Sequence, residues 1–308
     1  MSQGYQALRH GAAWLDLTPR GRLIARGRDR ARFLHNVSSN EVRKMPPGAG
    51  CYAFLLTPQG RIQADLCLFC FVDHFLIDTE PELREKARQQ ILRYKVADQV
   101  EVEDVTAQTS SIGVEGPRAA AVLASLGAPL PGEAFAHLPW EEDTIAAVTV
   151  TGQPGFRIYS AAGTAGETVR RLEAAGAQPA TDADARAVRI ENGKPRYGDD
   201  IRETTLPQET RQMHAVSFTK GCYLGQEIVE RIRAQGHVNK LLARVELETS
   251  VPPPPGTKLM AGADEAGEIT SSVCSPDAGK AIALAYLRTP FADTGRILAA
   301  REVAARVL

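Results

Sequence analysis

The segment of residues 51–79, "CYAFLLTPQGRIQADLCLFCFVDHFLIDT", constrains the fold most strongly because it is apolar yet repeatedly interrupted by turn residues. Residues 57–60 and 73–74 divide it into short pieces, which predicts two or three β-strands joined by tight turns. No uninterrupted apolar run in the chain approaches the ~18 residues that a membrane-spanning helix requires. We therefore expect a sheet in this region and no membrane-spanning segment.

Helix-like and further strand-like segments surround this region. Residues 21–27 and 99–106 have the pattern of strands, and residues 29–37 have that of a helix with Asp29 as its N-cap. A second helix is predicted over residues 80–94, because Thr79 and Glu82 have the spacing of a capping box. This irregular mixture predicts an α+β fold for the front of the chain.

Two further patterns concern the organisation of the chain. The segments "ARGRDRARFLHNV" and "VEGPRAAAVLASL" align Gly27 with Gly116, which indicates two related α+β units or a chance similarity. Near the C-terminus, four consecutive prolines at 252–255 lie among short strand-like segments. Short strands separated by turn residues predict a small barrel or sandwich there.

Composition limits the classes of function. The 36 basic and 37 acidic residues give a net charge of −1, so a polyanionic partner would need a local basic site. The five cysteines are odd in number and scattered, which is typical of a reducing compartment rather than of a disulfide framework. The N-terminus lacks the apolar core of a signal peptide. We expect a soluble cytoplasmic protein that does not bind membranes.

The loop "TKGCYLGQEIVERI" (219–232) is the strongest candidate for chemistry. A nearby cation or helix N-terminus stabilises a thiolate, and Lys220 and a predicted following helix flank Cys222. Gly221 and Gly225 permit close approach of a ligand to the backbone. The alternative is that Cys222 is a small residue packed in a tight turn. A Cys–His hydrolase is poorly supported, because the spacing to His214 does not imply contact.

Cys67 and Cys70 form a C-x-x-C pair inside a predicted strand. Residues three apart on a strand point to opposite faces, and the chain has no second pair to complete four metal ligands. We interpret both cysteines as core residues.

Two polar segments remain open to several interpretations. Residues 188–203, "VRIENGKPRYGDDIRE", are dense in carboxylates, which suit an aminopyrimidine-type ring, an oxygen-ligand metal site or a solvated loop. A basic run follows the cysteine loop and is compatible with RNA phosphates or with a solvated helix face. It consists of Arg231, Arg233, His237, Lys240 and Arg244.

Together, "KGCYLGQE", "RIRAQGHVNK", "LLTPQGRIQADL" and "RIENGKPRYGDDI" closely resemble the YgfZ-type folate-binding proteins, relatives of the glycine-cleavage T-protein, an aminomethyltransferase. The resemblance covers essentially the whole chain. It implies three domains around a central opening, two of ferredoxin-like topology and one small C-terminal β-barrel. We place them at 1–107, in one piece or discontinuous, at 108–238 with the KGCYLGQE loop, and at 239–308.

The resemblance also implies a ligand and partners. Tetrahydrofolate or a derivative would occupy the central opening, with Glu191 holding the pterin and with Asp65, Tyr197 and Arg231 as further contacts. The family role is the assembly or repair of iron–sulfur proteins, including enzymes that thiolate tRNA. Partners would be iron–sulfur client proteins or cluster carriers, with tRNA involved only indirectly.

The catalytic residues that the resemblance implies are Cys222, Lys220 and Asp65. In the T-protein an aspartate pair lies near the reactive folate nitrogens, and here its first position is Ala64. If the catalytic carboxylate belongs at the first position, aminomethyl transfer is lost; if it belongs at the second, Asp65 retains it. The sequence leaves this register open.

Three hypotheses from different classes follow. The first is a folate-dependent factor that assembles or repairs iron–sulfur proteins through Cys222. The second is a transferase that moves a one-carbon unit to or from tetrahydrofolate, with Asp65 handling the proton. The third is an RNA-binding accessory protein that uses Arg231, Arg233 and Lys240.

Overall fold

The computed structural model describes residues 1–236 and 238–308. Its α-helices are α1 (Gln3–His10), α2 (Arg30–Val37), α3 (Arg84–Leu92), α4 (Ala119–Ser125), α5 (Ala165–Ala174), α6 (Asp182–Glu191) and α7 (Gln226–Gln235). Its strands are β1 (Ala13–Asp16), β2 (Gly21–Arg26), β3 (Gly50–Leu56), β4 (Ile62–Cys70), β5 (His74–Thr79), β6 (Glu101–Asp104), β7 (Thr109–Glu115), β8 (His137–Trp140), β9 (Asp143–Ala146), β10 (Gly155–Ala161), β11 (Gln178–Pro179), β12 (Lys240–Leu247), β13 (Lys258–Ala261), β14 (Asp264–Cys274), β15 (Ala281–Arg288), β16 (Ile297–Ala300) and β17 (Val303–Val307). Within these described ranges, every helix is too short or too polar to cross a lipid bilayer.

The apolar segment 51–79 forms β3, β4 and β5, as its turn residues predict. These strands belong to a five-stranded sheet with the order β3-β4-β5-β2-β6. One face of the sheet packs on α2 and α3 through a core that includes Phe33, Leu34, Ala87 and Ile91. The opposite face turns toward the second sheet, so this strand segment forms one wall of the region between the two sheets.

The helix predicted over residues 80–94 is shorter than expected. A single 3₁₀ turn, Pro81–Leu83, precedes α3, and Glu80 makes no side-chain capping bond. The predicted capping box is wrong because the Thr79 hydroxyl donates instead to the Asp65 carbonyl at 2.7 Å. Thr79 is the buried last residue of β5, so its side chain serves the sheet and not the helix.

The second sheet has the order β11-β1-β7-β10-β9-β8. It recruits β1 from the N-terminal segment, which pairs antiparallel with β7. Conversely, Tyr197, Ile201, Tyr223 and Val229 pack in the core of the first sheet. The two α+β units therefore exchange segments, and the boundaries expected at 107 and 238 do not separate their cores.

The two units repeat a strand–turn–helix element. Gly27 follows β2 and precedes α2, and Gly116 follows β7 and precedes α4, with φ values of 108° and 122°. A Cβ at Gly27 would lie 2.1 Å from the Gln99 carbonyl oxygen, and one at Gly116 would lie 2.6 Å from the Gly11 carbonyl oxygen. Only glycine tolerates this combination of conformation and close approach. The sequence similarity around the two glycines thus corresponds to a shared local structure.

The C-terminal strands close into a barrel with the order β12-β15-β14-β13-β16-β17. Its interior is filled by Val245, Leu259, Ile269 and Leu287, among other small and branched apolar residues. The four prolines lie in the connection between β12 and β13. The predicted fold class, two α+β units followed by a small β-barrel, is confirmed.

A buried ion cluster joins the two sheets. Asp78 on β5 is fully buried and accepts hydrogen bonds from Arg20 Nε at 2.7 Å and from Arg157 Nη1 on β10 at 2.8 Å. The Tyr159 hydroxyl, also on β10, donates to the same carboxylate at 3.1 Å. The two guanidinium groups hold the pKa of Asp78 below its usual range despite burial. Asp78 therefore links the sheets as a carboxylate.

Asp78→Asn tests this link. Loss of the negative charge leaves the buried Arg157 guanidinium without its counter-charge, while Arg20 retains Glu80. We therefore expect a loss of about 3–5 kcal/mol of unfolding free energy. Chemical denaturation at neutral pH measures it. Asp73→Asn, in the β4–β5 turn beside an exposed arginine, is the matched control and should cost at most about 1 kcal/mol. Equal losses of unfolding free energy in the two variants would show that Asp78 contributes no more to stability than an exposed aspartate.

Candidate functional site

A cavity of about 450 Å³ lies between the two sheets. Its walls come from the β1–β2 connection, β3, β4, the segment after β9, and the polypeptide from α6 to His214. Most side chains on these walls are charged or aromatic, although the surrounding layers are apolar. Such a concave, mixed lining is typical of a small-molecule site.

Asp65 of β4 reaches this cavity and is the first of its chemical groups. Its Oδ2 accepts a hydrogen bond from the Tyr52 hydroxyl at 2.7 Å. Its Oδ1 is buried and has no hydrogen-bond partner within the described part of the chain. Burial, followed by the nearby charge of Glu80, raises the pKa of Asp65 to about 6. The carboxyl group can therefore bind or release a proton near neutral pH.

The preceding residue faces the other way. Ala64 is fully buried in the core of the first sheet, whereas Asp65 lines the cavity. Successive side chains on a strand alternate between faces, so a carboxylate at 64 would enter the apolar core. Of the two positions of the pair, the second is therefore the one that faces the cavity.

Three rings form an aromatic wall beside Asp65. The centroid of Tyr52 lies 5.5 Å from that of His214 and 6.4 Å from that of Phe135, with interplanar angles of 27° and 12°. Phe135 and His214 are 6.3 Å apart at 21°. Burial raises the pKa of the Tyr52 hydroxyl well above its ordinary value, so this group stays a donor to Asp65. Nearly parallel ring faces suit contact with a flat heteroaromatic ligand.

Charged side chains close the floor of the cavity. Arg20 bridges Asp78 and Glu80, and Arg196 approaches Glu80 through its Nε at 3.0 Å. Arg157 completes this layer through its bond to Asp78. These pairs place fixed charges beneath the open space without leaving their own charges uncompensated.

Glu191, the expected pterin contact, does not line the cavity that the described residues form. It ends α6 and turns toward α1, where its Oε1 accepts a hydrogen bond from the Tyr5 hydroxyl at 2.7 Å. Arg9 Nε lies 3.7 Å from its Oε2. Together with burial, the Glu191 carboxylate raises the pKa of Tyr5. In this arrangement Glu191 ties α1 to α6.

The cysteine loop packs against the C-terminal end of α2. The three N–H donors of Lys220 are taken up by the carbonyls of His35, Ser38 and Asn40, the last two at 2.7 Å. Desolvation by burial lowers the pKa of Lys220 to about 8. Because an ammonium group has three donors, Lys220 has none left for the sulfur of Cys222. Its evident task is to hold the C-terminal end of α2.

Cys222 itself is exposed. The helix expected directly after it begins only at Gln226, so Cys222 lies outside the first turn of α7. Gly225 adopts φ 84°, and a Cβ there would lie 2.6 Å from the Thr57 carbonyl oxygen, which presses the loop against the β3–β4 turn. The backbone is therefore held tightly while the thiol faces solvent.

Asn40 connects this loop to the cavity wall. Its carbonyl accepts a bond from Lys220, and its side-chain amide donates to the carbonyls of Tyr52 and His214, both at 2.8 Å. Two of the three aromatic residues are thus fixed by the same asparagine that anchors the cysteine loop. The loop supports the cavity without lining it.

The remaining predicted contacts are also outside the lining. Tyr197 is buried in the core of the first sheet, and its hydroxyl accepts a bond from Lys86 at 3.1 Å. Arg231 lies exposed on α7. Of the six predicted site residues, Asp65 alone reaches the cavity formed by residues 1–236 and 238–308.

The basic run does not form one surface. Arg233 stacks over Phe218 at 4.5 Å, Lys240 lies over Tyr286 at 4.7 Å, and Arg244 donates to the Glu191 carbonyl. His237 lies outside the described residues. Each of these cations contacts a different group, at separate places on α7 and β12.

The carboxylate-rich segment is neutralised internally. Asp199 pairs with Arg186 and Arg189, while Asp200 pairs with Arg189 and accepts bonds from the Thr270 and Ser271 hydroxyls of the barrel. In the part of the chain that the structure describes, no three His, Cys, Asp or Glu side chains are placed to hold a metal ion.

Cys67 and Cys70 are buried on opposite faces of β4, as predicted. Cys70 belongs to the core of the first sheet, and Cys67 packs between the two sheets with Phe69 and Tyr159. Burial raises the pKa of the Cys67 thiol to about 12, so it is a packing residue at neutral pH.

Sequence reasoning missed most of the cavity. Tyr52, Phe135, His214 and Arg157 line it, and none of them is among the predicted site residues. Lys194 also lines it and lies in the polar segment 188–203. Two sequence signals point to the cavity. The alternation along β4 places Asp65 and Cys67 on the same face, and the polar segment 188–203 contributes Arg189, Lys194, Arg196 and Asp199 to the lining.

The two parts of the chain match known families. Residues 1–220 match the GCVT N-terminal domain family, and residues 240–307 match the glycine cleavage T-protein C-terminal barrel domain family. The chain therefore belongs to the glycine-cleavage T-protein family, whose aminomethyltransferases use tetrahydrofolate.

Individual relatives agree with this membership. An aminomethyltransferase of Rubrobacter xylanophilus is 29% identical over 293 residues, which cover 92% of this chain and 78% of that protein. One from Thermosynechococcus vestitus is 29% identical over 303 residues, 96% of this chain and 82% of that protein. The crystal structure of the glycine cleavage system aminomethyltransferase T from Bartonella henselae matches with a TM-score of 0.89 and 20% identity, covering 99% and 87% of the two chains. This last similarity shows a shared fold.

The raised pKa of Asp65 predicts a pH-dependent cost to stability. Its folded-state pKa of about 6 lies above the ordinary value of 3.8. The stability gained from protonating Asp65 is therefore fully present below the ordinary pKa and is lost as pH rises through about 6. Asp65→Asn is always neutral and keeps that contribution. The variant should match the wild type near pH 4 and exceed it by about 1–3 kcal/mol at pH 7. Urea denaturation at both pH values checks this, and an unchanged difference would contradict it.

Proposed function

We propose that this protein binds tetrahydrofolate in the cavity between its two sheets and transfers a one-carbon unit, with Asp65 as the acid–base group. The observation that carries the proposal is the unpartnered Oδ1 of Asp65, a buried carboxyl oxygen that faces an open, aromatic-lined space. Buried polar atoms are almost always hydrogen-bonded, so such an atom points to a ligand that completes it.

The lining fits a reduced folate. A pterin ring presents N–H donors at its edge, which suit the free Asp65 oxygen, and flat faces, which suit the wall of Tyr52, Phe135 and His214. The cavity volume of about 450 Å³ falls within the usual range for small-molecule sites of about 300–1,000 Å³. Tetrahydrofolate, when bound, supplies the nitrogen atoms that carry the one-carbon unit.

Asp65 can hold or move a proton at Oδ1. The Tyr52 hydroxyl fixes Oδ2 by its hydrogen bond, so the carboxyl plane is oriented and Oδ1 is the atom presented to the ligand. A pKa of about 6 means that both protonation states are accessible at neutral pH, which is the condition for efficient proton transfer.

The test separates binding from turnover. Asp65→Asn keeps the shape and the bond from Tyr52 but cannot exchange a proton, so we expect aminomethyl transfer to tetrahydrofolate to fall by about 10²- to 10⁴-fold. Affinity for tetrahydrofolate, measured by calorimetry under anaerobic conditions, should change much less. Asp16→Asn, which changes an exposed carboxylate at the mouth of the same cavity, is the control and should retain transfer.

Transfer that persists in Asp65→Asn would remove Asp65 from the chemistry. Absence of tetrahydrofolate binding by the wild-type protein would remove the proposed ligand. The two failures are distinct because the first concerns turnover and the second concerns binding.

A second candidate function is support of iron–sulfur protein assembly or repair, as in YgfZ-type proteins. The observation that favours it is the exposed Cys222 on a loop whose backbone is fixed by Lys220 and Gly225. A rigid backbone that presents a solvent-facing thiol suits contact with another protein, such as a client or a cluster carrier. tRNA would be affected only through such clients.

Cys222→Ser tests this candidate. We expect the variant to bind tetrahydrofolate normally but to fail to restore iron–sulfur enzyme activity in cells that lack the protein. Cys274→Ser changes the other exposed cysteine and should complement fully. Full complementation by Cys222→Ser would show that the thiol is dispensable and would leave the transferase function alone.

A further inference from the structure

The cations on the cavity wall differ in whether they form a salt bridge with a carboxylate. Each of its five arginines forms a salt bridge with a carboxylate. The pairs are Arg20 with Asp78, Arg157 with Asp78, Arg186 with Asp199, Arg189 with Asp200, and Arg196 with Glu82. The sixth cation, Lys194, forms no salt bridge within 4.0 Å with a carboxylate of the described residues.

Among residues 1–236 and 238–308, the Lys194 ammonium has one hydrogen-bond partner, the carbonyl of Thr149, to which its Nζ donates. The carboxylate whose charge acts on it most is Glu115. Glu115 is already occupied, because it accepts bonds from the Val150 and Thr151 amides at 2.7 and 2.9 Å and from the Thr151 hydroxyl. Lys194 therefore keeps two of its three donors for another acceptor.

The surroundings of Lys194 make its positive charge costly. Desolvation by burial lowers the pKa of Lys194, and the positive charges of Arg157 and Arg20 add to this effect. A charge removed from water is stabilised mainly by an opposite charge with good hydrogen-bond geometry. An anionic group that entered the cavity beside Lys194 would supply both. A carboxylate fits best, since its two oxygens match the two remaining donors of the ammonium.

We propose that Lys194 binds a carboxylate group of the ligand that occupies the cavity. The inference rests on the proposed function for the identity of that ligand. Two sources present this chemistry: the glutamate portion of tetrahydrofolate, and a small amino acid that occupies the cavity as a second substrate. In either case Lys194 selects a carboxylate-bearing ligand, while Asp65 handles the proton.

Lys194→Met removes the charge and keeps an unbranched side chain of similar length. Lys194→Arg keeps the charge and tests rescue. Lys44→Met, which removes an exposed lysine outside the cavity lining, is the matched control for net charge. The probes are tetrahydrofolate, 6-methyltetrahydropterin (which lacks any carboxylate) and glycine, each titrated by calorimetry or followed by the shift in Tm.

If the folate carboxylate is the partner, Lys194→Met weakens tetrahydrofolate binding by about 10- to 100-fold. The affinity for 6-methyltetrahydropterin stays that of the wild type, and Lys194→Arg recovers part of the loss. If the amino acid is the partner, the wild type and Lys44→Met are stabilised by glycine and Lys194→Met is not. Either pattern supports the inference and identifies the source of the carboxylate.

Equal affinities of Lys194→Met and the wild type for every carboxylate probe would overturn the inference. So would an equal loss for tetrahydrofolate and 6-methyltetrahydropterin, because Lys194 would then contact the ring. A wild-type protein that binds neither folate nor pterin refutes the proposed function, and the glycine titration still decides the role of Lys194.

Discussion

The carboxylate of Asp78 is the contact on which the relative position of the two sheets depends. It is fully buried on β5 of the first sheet and receives Arg157 and Tyr159 from β10 of the second. Arg20, in the connection between β1 and β2, binds the same group and extends to Glu80. Since charges buried this deeply must remain paired, the sheets cannot shift relative to each other without a large cost. The cavity is the space that this fixed spacing leaves open.

Asp65 and Asp78 illustrate how the same side chain serves two purposes. Two arginines bind Asp78, so its pKa lies below the usual range and it remains charged. Asp65 receives one tyrosine hydroxyl and is desolvated, so its pKa rises to about 6. The structure thus supplies a permanent anion that holds the sheets together and a titratable one that faces the ligand space. The chemistry that we propose for the cavity depends on this difference.

The sequence predicts the fold better than the site, for a physical reason. Turn residues in the segment 51–79 and the period of β4 depend on local interactions, so three strands and the opposite faces of Cys67 and Cys70 are predictable. The direction of Glu191 is not, because α1 captures its carboxylate through Tyr5, far away in sequence. The wall of Tyr52, Phe135 and His214 likewise exists only after three distant segments have packed together.

The structure of the protein with tetrahydrofolate bound tests the central claim most directly, because the claim is that the cavity between the sheets is the folate site. We predict that the pterin ring lies against Tyr52, Phe135 and His214, with an N–H group within about 3.2 Å of Asp65 Oδ1. Density for the ring beside Glu191 and α1, or against the Cys222 loop, would contradict the account.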